Sequence, residues 1–243
     1  MRRIRVVATG FALLLSIPTG LQATAIPLID ARQIIGRYFN DTTTITRVVS
    51  PGEAFELFNA SLQSSGAAMQ HSFLNFAGDS FDGLAGTLKA AVESRLLSDY
   101  TSVLDITFRL DKDYGYSTDV GFDSHVAGAS NWYVLDLYSL STTGTLVFSQ
   151  SGSPLNEAFS FRRSGTLGPG DYRFRLSLNA FHADRPFIVS SDISATFLFD
   201  LTPTAVPEGD FSLWPEVVFA ALFFKYKQSR GRLLANKTVK ELP

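Results

Sequence analysis

The chain has 243 residues, 45% hydrophobic and 18% charged, a composition that builds a packed core and excludes an intrinsically disordered polymer. Its formal charge of −2 conceals a segregation: residues 26–205 hold 12 basic and 19 acidic side chains, so the central region lacks the basic face that nucleic acid requires. Zero cysteine excludes disulfides, thiolate metal sites and cysteine nucleophiles together, while 21 Phe and 8 Tyr favour pleated over helical structure.

Residues 1–25 read as a secretory signal. Arg2, Arg3 and Arg5 make a positive start, Gly10 to Ile17 is apolar, and Pro18 and Gly20 break the run. Ala23-Thr24-Ala25 then supplies a small-x-small cleavage site for signal peptidase, with Ile26 as the expected mature start. The apolar run falls well short of the ~20 residues that span a bilayer, which disfavours a retained anchor.

Residues 26–202 form the expected folded domain. Thr43–Ser50 and Ser72–Ala77 are its first strand candidates. Thr87–Leu96 fits a helical stripe through Leu88, Ala91, Val92 and Leu96, and also an alternation through Leu88, Ala90, Val92 and Leu96; its neighbours favour a strand. In Leu104–Leu110 the apolar set Leu104, Ile106, Phe108 and Leu110 opposes Asp105, Thr107 and Arg109, the period of a strand with one wet face. Trp132–Leu140, Thr145–Gln150 and Glu157–Arg163 follow, divided by Gly, Pro and Ser turns. Tyr172, Phe174, Leu176 and Leu178 then alternate against Arg173, Arg175 and Ser177, and Ile193–Leu201 repeats the pattern. Some eight strands with short turns predict an all-β fold, a single antiparallel, jelly-roll-like β-sandwich.

Between two of these strands lies the best candidate for metal chemistry. Asp111, Asp113, Asp119 and Asp123 surround Gly115, and alternate carboxylates about a glycine turn are how a loop wraps Ca²⁺. The spacing departs from the EF-hand, since Gly115 occupies a ligand slot and no Glu closes the loop; a solvated hairpin explains the same residues. Asp79 and Asp82 beside Gly83 form a weaker copy. His71, His125 and His182 lack metal spacing, and His182 falls on an inward position as a satisfied core residue. Tyr114, Tyr116, Trp132 and Tyr133 fit an aromatic platform for sugar rings, or else simply fill a core. No nucleophile elbow, His-Glu-x-x-His pair or phosphate-cradling loop occurs, so no catalytic residue is assigned.

The C-terminal part has its own layout. After Thr202-Pro203-Thr204-Ala205 come Val206, Pro207 and Glu208, an apolar stretch from Phe211 to Phe224 containing Trp214, and the basic cluster Lys225, Lys227, Arg230 and Arg232. Spacer, short hydrophobic helix and positive stop make a sorting arrangement for a membrane, over residues 203–232, with 233–243 a polar tail. This order resembles the PEP-CTERM family of exported bacterial proteins, whose tails carry Val-Pro-Glu-Pro, a Trp, an apolar helix and a basic cluster. Gly209 stands where that family has its second Pro, and Pro215 and Glu216 interrupt the helix. The resemblance implies export in a Gram-negative bacterium, recognition of the tail by an exosortase-type enzyme, and a place on the cell surface or in extracellular polysaccharide. The expected function is thus a non-catalytic surface or matrix protein. A carbohydrate-binding module, with or without Ca²⁺, and a secreted hydrolase are the competing readings.

Overall fold

Thirteen strands, with period-two alternation clearest in the central ones, make up the computed structural model, which describes residues 24–40, 43–94, 96–141, 144–183 and 189–204 and has no helix among them. Sheet I contains β1 (Ala25–Asp30), β2 (Gln33–Asn40), β3 (Thr43–Val49), β7 (Ser98–Leu110), β9 (Ser130–Ser139), β10 (Leu146–Gly152) and β12 (Gly170–His182). Sheet II contains β4 (Phe58–Gln63), β5 (Gly66–Ala77), β6 (Ser80–Ser94), β8 (Tyr114–Ala127), β11 (Glu157–Leu167) and β13 (Val189–Pro203). Sheet I runs β10-β9-β12-β7-β2-β3, with β1 continuing β2 along β7, and sheet II runs β11-β8-β13-β6-β5-β4. Every ladder between these strands is antiparallel. The two sheets pack as a sandwich.

The phenylalanines account for the core. Phe108 of sheet I meets Phe81 and Phe199 of sheet II at ring distances of 5.5 and 5.8 Å, and Phe174 lies 4.7 Å from Phe199. All four are fully buried. Toward one end, Tyr100 lies where two glycines let strands approach: a Cβ on Gly36 would come within 2.8 Å of its ring, and one on Gly66 within 2.7 Å. A fully buried ion pair closes part of the space between the sheets. Arg32, at the β1–β2 junction, forks onto Asp30 at 2.6 and 2.8 Å and donates to Ser72 O of β5 at 3.0 Å.

Every strand candidate has its counterpart, and Thr87–Leu96 lies mainly in β6, with Leu88, Ala90 and Val92 inward and Leu96 exposed. Three strands beyond the expectation are β1, β2 and β4. A fourth corrects the loop reading. Tyr114–Ala127 is β8, paired to β11 and β13 along its length, because Tyr114, Tyr116, Thr118, Val120, Phe122 and Ser124 all point into the sandwich. The domain expected from Ile26 begins its first strand at Ala25. The rest of the leader, including Ala23, lies outside the described residues, as do Val206, Pro207, Glu208, Trp214, Lys225, Lys227, Arg230, Arg232 and the expected C-terminal helix.

Candidate functional site

The four aspartates proposed for calcium are not brought together. Asp111 and Asp113 sit in the turn before β8, whereas Asp119 and Asp123 are outward positions on β8 itself, four residues and ~13 Å apart. Asp111 accepts from Thr24 N at 2.8 Å, Asp119 pairs with Arg162 at 2.9 Å, and Asp123 with His125 at 3.4 Å. Among the described residues no group of three or more acidic or histidine side chains is placed to hold a metal. Asp119 and Arg162 instead line an open recess of about 710 Å³ at the β8–β11 edge.

The aromatic candidates divide. Tyr114, Tyr116 and Tyr133 are buried core residues, and so offer no platform. Trp132 is 47% exposed. The expectation that Trp132 fills the core therefore fails, because β9 turns Tyr133, Leu135 and Leu137 inward and the alternate set outward. His71 and His125 are exposed, while His182 is buried with neither ring nitrogen partnered. It is a core histidine, but not a satisfied one.

The polar chemistry gathers on the outer face of sheet I, where strand order does what chain order does not. β12 lies between β7 and β9, so Arg175 stands opposite Asp105 on one side and Asp136 on the other, with Ser149 of β10 beyond Asp136. Asp105 and Asp136 are therefore two strand spacings, ~10 Å, apart. One register step along, Arg173 stands between Thr107 and Tyr138. Its guanidinium grips Asp105 with two bonds, one of 2.8 Å from Nε and one from Nη2. Ser149 Oγ donates to Asp136 Oδ1 at 2.5 Å. Both carboxylate residues are largely buried although they lie on an outer face, at 7% and 4% exposure.

The same face ends in aromatics. Trp132 lies opposite Asn179, and Phe181, 39% exposed, is its diagonal neighbour. Asn179 Nδ2 donates to Asp99 Oδ1 and to Thr101 Oγ1. From Arg173 to Phe181 the face extends ~26 Å. An exposed indole beside oriented amide, carboxylate and guanidinium groups can take the apolar face of a ring while bonding its polar rim. Sheet II also exposes Phe73 and Phe76, but the row of Phe73 passes through Ala85 and Leu198 before it reaches a charged pair, Asp119–Arg162, and that pair is exposed, not buried. Sequence reading had placed Asp105, Arg173 and Arg175 on wet strand faces and missed Asp99, Asp136, Tyr138, Asn179 and Phe181.

Electrostatics links the members of this row. Burial pushes the Tyr138 phenol above its ordinary value, the Asp136 carboxylate adds to the rise, and Arg175 and Arg173 oppose it. Asp136→Asn is therefore expected to bring Tyr138 back toward an ordinary tyrosine value, read as a shift to lower pH in the phenolate absorbance titration. An unchanged titration would mean that the two side chains do not adjoin.

A scan of family models matched none, and a search of curated proteins matched none. Among solved structures, the chain is similar to one described as "CBM4 structure and function", at 9% identity over 47% of this chain and 83% of that one, with a TM-score of 0.25. The enzymatically active domain of tailspike protein 4 from bacteriophage CBA120 matches at 14% identity over 55% and 18%, with a TM-score of 0.27. TmCBM61 in complex with β-1,4-galactotriose matches at 10% identity over 48% and 82%, with a TM-score of 0.21. These values are too low to assign a function by likeness.

Proposed function

We propose that the protein is an exported, non-catalytic envelope or matrix protein that binds polysaccharide through the outer face of sheet I. The observation that carries this reading is the half-buried row Asp105–Arg175–Asp136–Ser149, continued by Asn179 and the exposed Trp132. Fixed donors and acceptors next to an open aromatic ring suit a polyhydroxylated chain, and burial of the carboxylates orients them before any ligand arrives. Strands β6–β13 stack as β6-β13-β8-β11 and β7-β12-β9-β10, which we read as a jelly roll extended by β1–β5.

The spacing of Asp105 and Asp136 invites comparison with a glycosidase pair. Hydrolysis needs one carboxyl to deliver a proton, yet both Asp105 oxygens accept from Arg173 and Asp136 accepts from Ser149. That engagement supports binding over cleavage. Export rests on the signal-like residues 1–25, read by signal peptidase, and on the tail at 206–232 as an exosortase-type substrate.

The test is a binding assay of the exported protein against arrayed neutral and uronate-bearing polysaccharides, with and without Ca²⁺. Saturable binding to at least one class, with no release of reducing ends, is the expected result. Failure to bind any of them leaves a scaffolding role and overturns the binding assignment. Reducing sugar released from a bound polymer overturns the non-catalytic part.

A further inference from the structure

Thr24 and Ala25 fall inside the expected cleavage motif, yet both are built into the sandwich. Ala25 is fully buried, pairs with Leu110 across the β1–β7 ladder, and donates its N–H to Ser80 Oγ at 3.1 Å. Thr24 N donates to Asp111 Oδ1 at 2.8 Å, and Asp111 N–H donates back to Thr24 O at 3.3 Å. Together these bonds tie the start of β1 to the end of β7 and the turn that follows.

Cutting after Ala25 would remove all of them. It would vacate a core position, leave Asp111 N–H without its acceptor, and set the new α-ammonium of Ile26 opposite Arg109 in the ladder. Cutting after Ala23 keeps each of the bonds just named and converts the Thr24 nitrogen into a cation already seated on a carboxylate. Charge-assisted bonds of that kind are about twice as strong as neutral ones. Ala23 supplies the small residue before the bond, as Ala25 would. Leu21, three residues back from the bond, is bulkier than Ala23 in the other frame; what favours this frame is that the folded mature domain uses Thr24 and Ala25.

We propose that the leader is cleaved at the Ala23–Thr24 bond, and that the mature chain begins with a Thr24 ammonium paired to Asp111. This rests on the export reading above and adds a site two residues from the one the motif suggests. The step is a hydrolysis by signal peptidase. Water adds across the amide, its oxygen goes to the Ala23 carbonyl carbon to give a carboxylate, and the Thr24 amine leaves and takes up a proton at neutral pH.

The full chain, expressed in a Gram-negative host and recovered after export, is to be read by N-terminal sequencing and intact mass. A first residue of Thr24 is the expected result. A chain beginning at Ile26, or anywhere else beyond the leader, overturns the proposal while leaving export intact. Retention of Met1 overturns both. As a second measurement, Asp111→Asn keeps an acceptor but removes the charge, and should lower the melting temperature of the exported protein by about 1–3 °C at low salt, with the loss fading at high salt. No change on substitution overturns the ion pair.

Discussion

Arg32→Met is expected to destabilise the domain by about 3–5 kcal/mol, a drop in melting temperature of roughly 6–20 °C. Few side chains in the sandwich hold so many parts at once. Arg32 and Asp30 are both fully buried, and the guanidinium also donates to Ser72 O of β5 at 3.0 Å and to Glu56 O in the β3–β4 connection at 2.5 Å. Asp30 accepts in addition from the N–H of Phe55 at 2.8 Å. Removing the cation leaves a buried carboxylate with only backbone donors, a far larger cost than the pair itself repays when intact. Replacing both residues with apolar ones should recover part of the loss. The recovery stays incomplete, because Ser72 O, Glu56 O and Phe55 N–H lose partners in either case.

The same pair sets an acid limb with a defined sign. Burial pushes the Asp30 carboxyl up, but Arg32 and the N–H groups of Phe55 and Arg32 prevail and hold it below its ordinary value of 3.8. A folded-state value below the unfolded one means that the contribution is complete above about pH 4 and is lost as pH falls further. In Arg32→Met only burial and the backbone bonds remain, so protonation relieves the variant instead of harming it. The gap in stability between the two proteins should therefore narrow as the solution is acidified. A gap that is constant or widens, measured by denaturant unfolding across pH 3–6, would refute this account of the pair.

How much of this was legible in the sequence depended on what each strand turns inward. β7, β12 and β13 were readable because their inward residues are almost all large and apolar, from Leu104 to Leu110, Tyr172 to Leu178 and Ile193 to Leu201. β8 was not, because Thr118 and Ser124 occupy inward positions while Gly115 and Gly121 sit outward. A polar inward residue and a glycine look the same in a strand as in a turn, and the aspartates between them completed the likeness to a metal loop. Trp132 failed for another reason. In Trp132-Tyr133-Val134-Leu135-Asp136-Leu137-Tyr138 both faces carry aromatics, and a one-residue change of register exchanges them. Only the packing of Tyr133 against Phe122 at 4.6 Å and Phe159 at 5.2 Å decides it. The row on sheet I was illegible in principle. Asp105, Asp136 and Arg175 become neighbours because β12 inserts between β7 and β9, and that order is a property of the whole topology.

That row makes Trp132 the most informative position for function. Trp132→Ala is expected to weaken polysaccharide binding by about 30-fold or more, roughly 2 kcal/mol, in titration calorimetry or affinity electrophoresis. Indole is the largest apolar surface the face exposes, and its loss removes the stacking partner while Asn179 keeps its bond to Asp99 and Arg173 its bonds to Asp105. Because the ring is nearly half exposed, little core packing goes with it, and the melting temperature should stay within a few degrees. Phe73→Ala supplies the contrast. It removes an exposed aromatic of similar accessibility from sheet II, where Ala85 and Leu198 separate it from the Asp119–Arg162 pair, and should leave affinity unchanged. Equal losses from both variants would mean that binding depends on exposed apolar area anywhere on the molecule, and unaltered affinity in Trp132→Ala would place any ligand elsewhere. A loss confined to Trp132 fixes the sugar on the outer face of sheet I, where the stacking ring shares a ladder with Asn179, Asp136 and Arg173, groups able to hold hydroxyls in place.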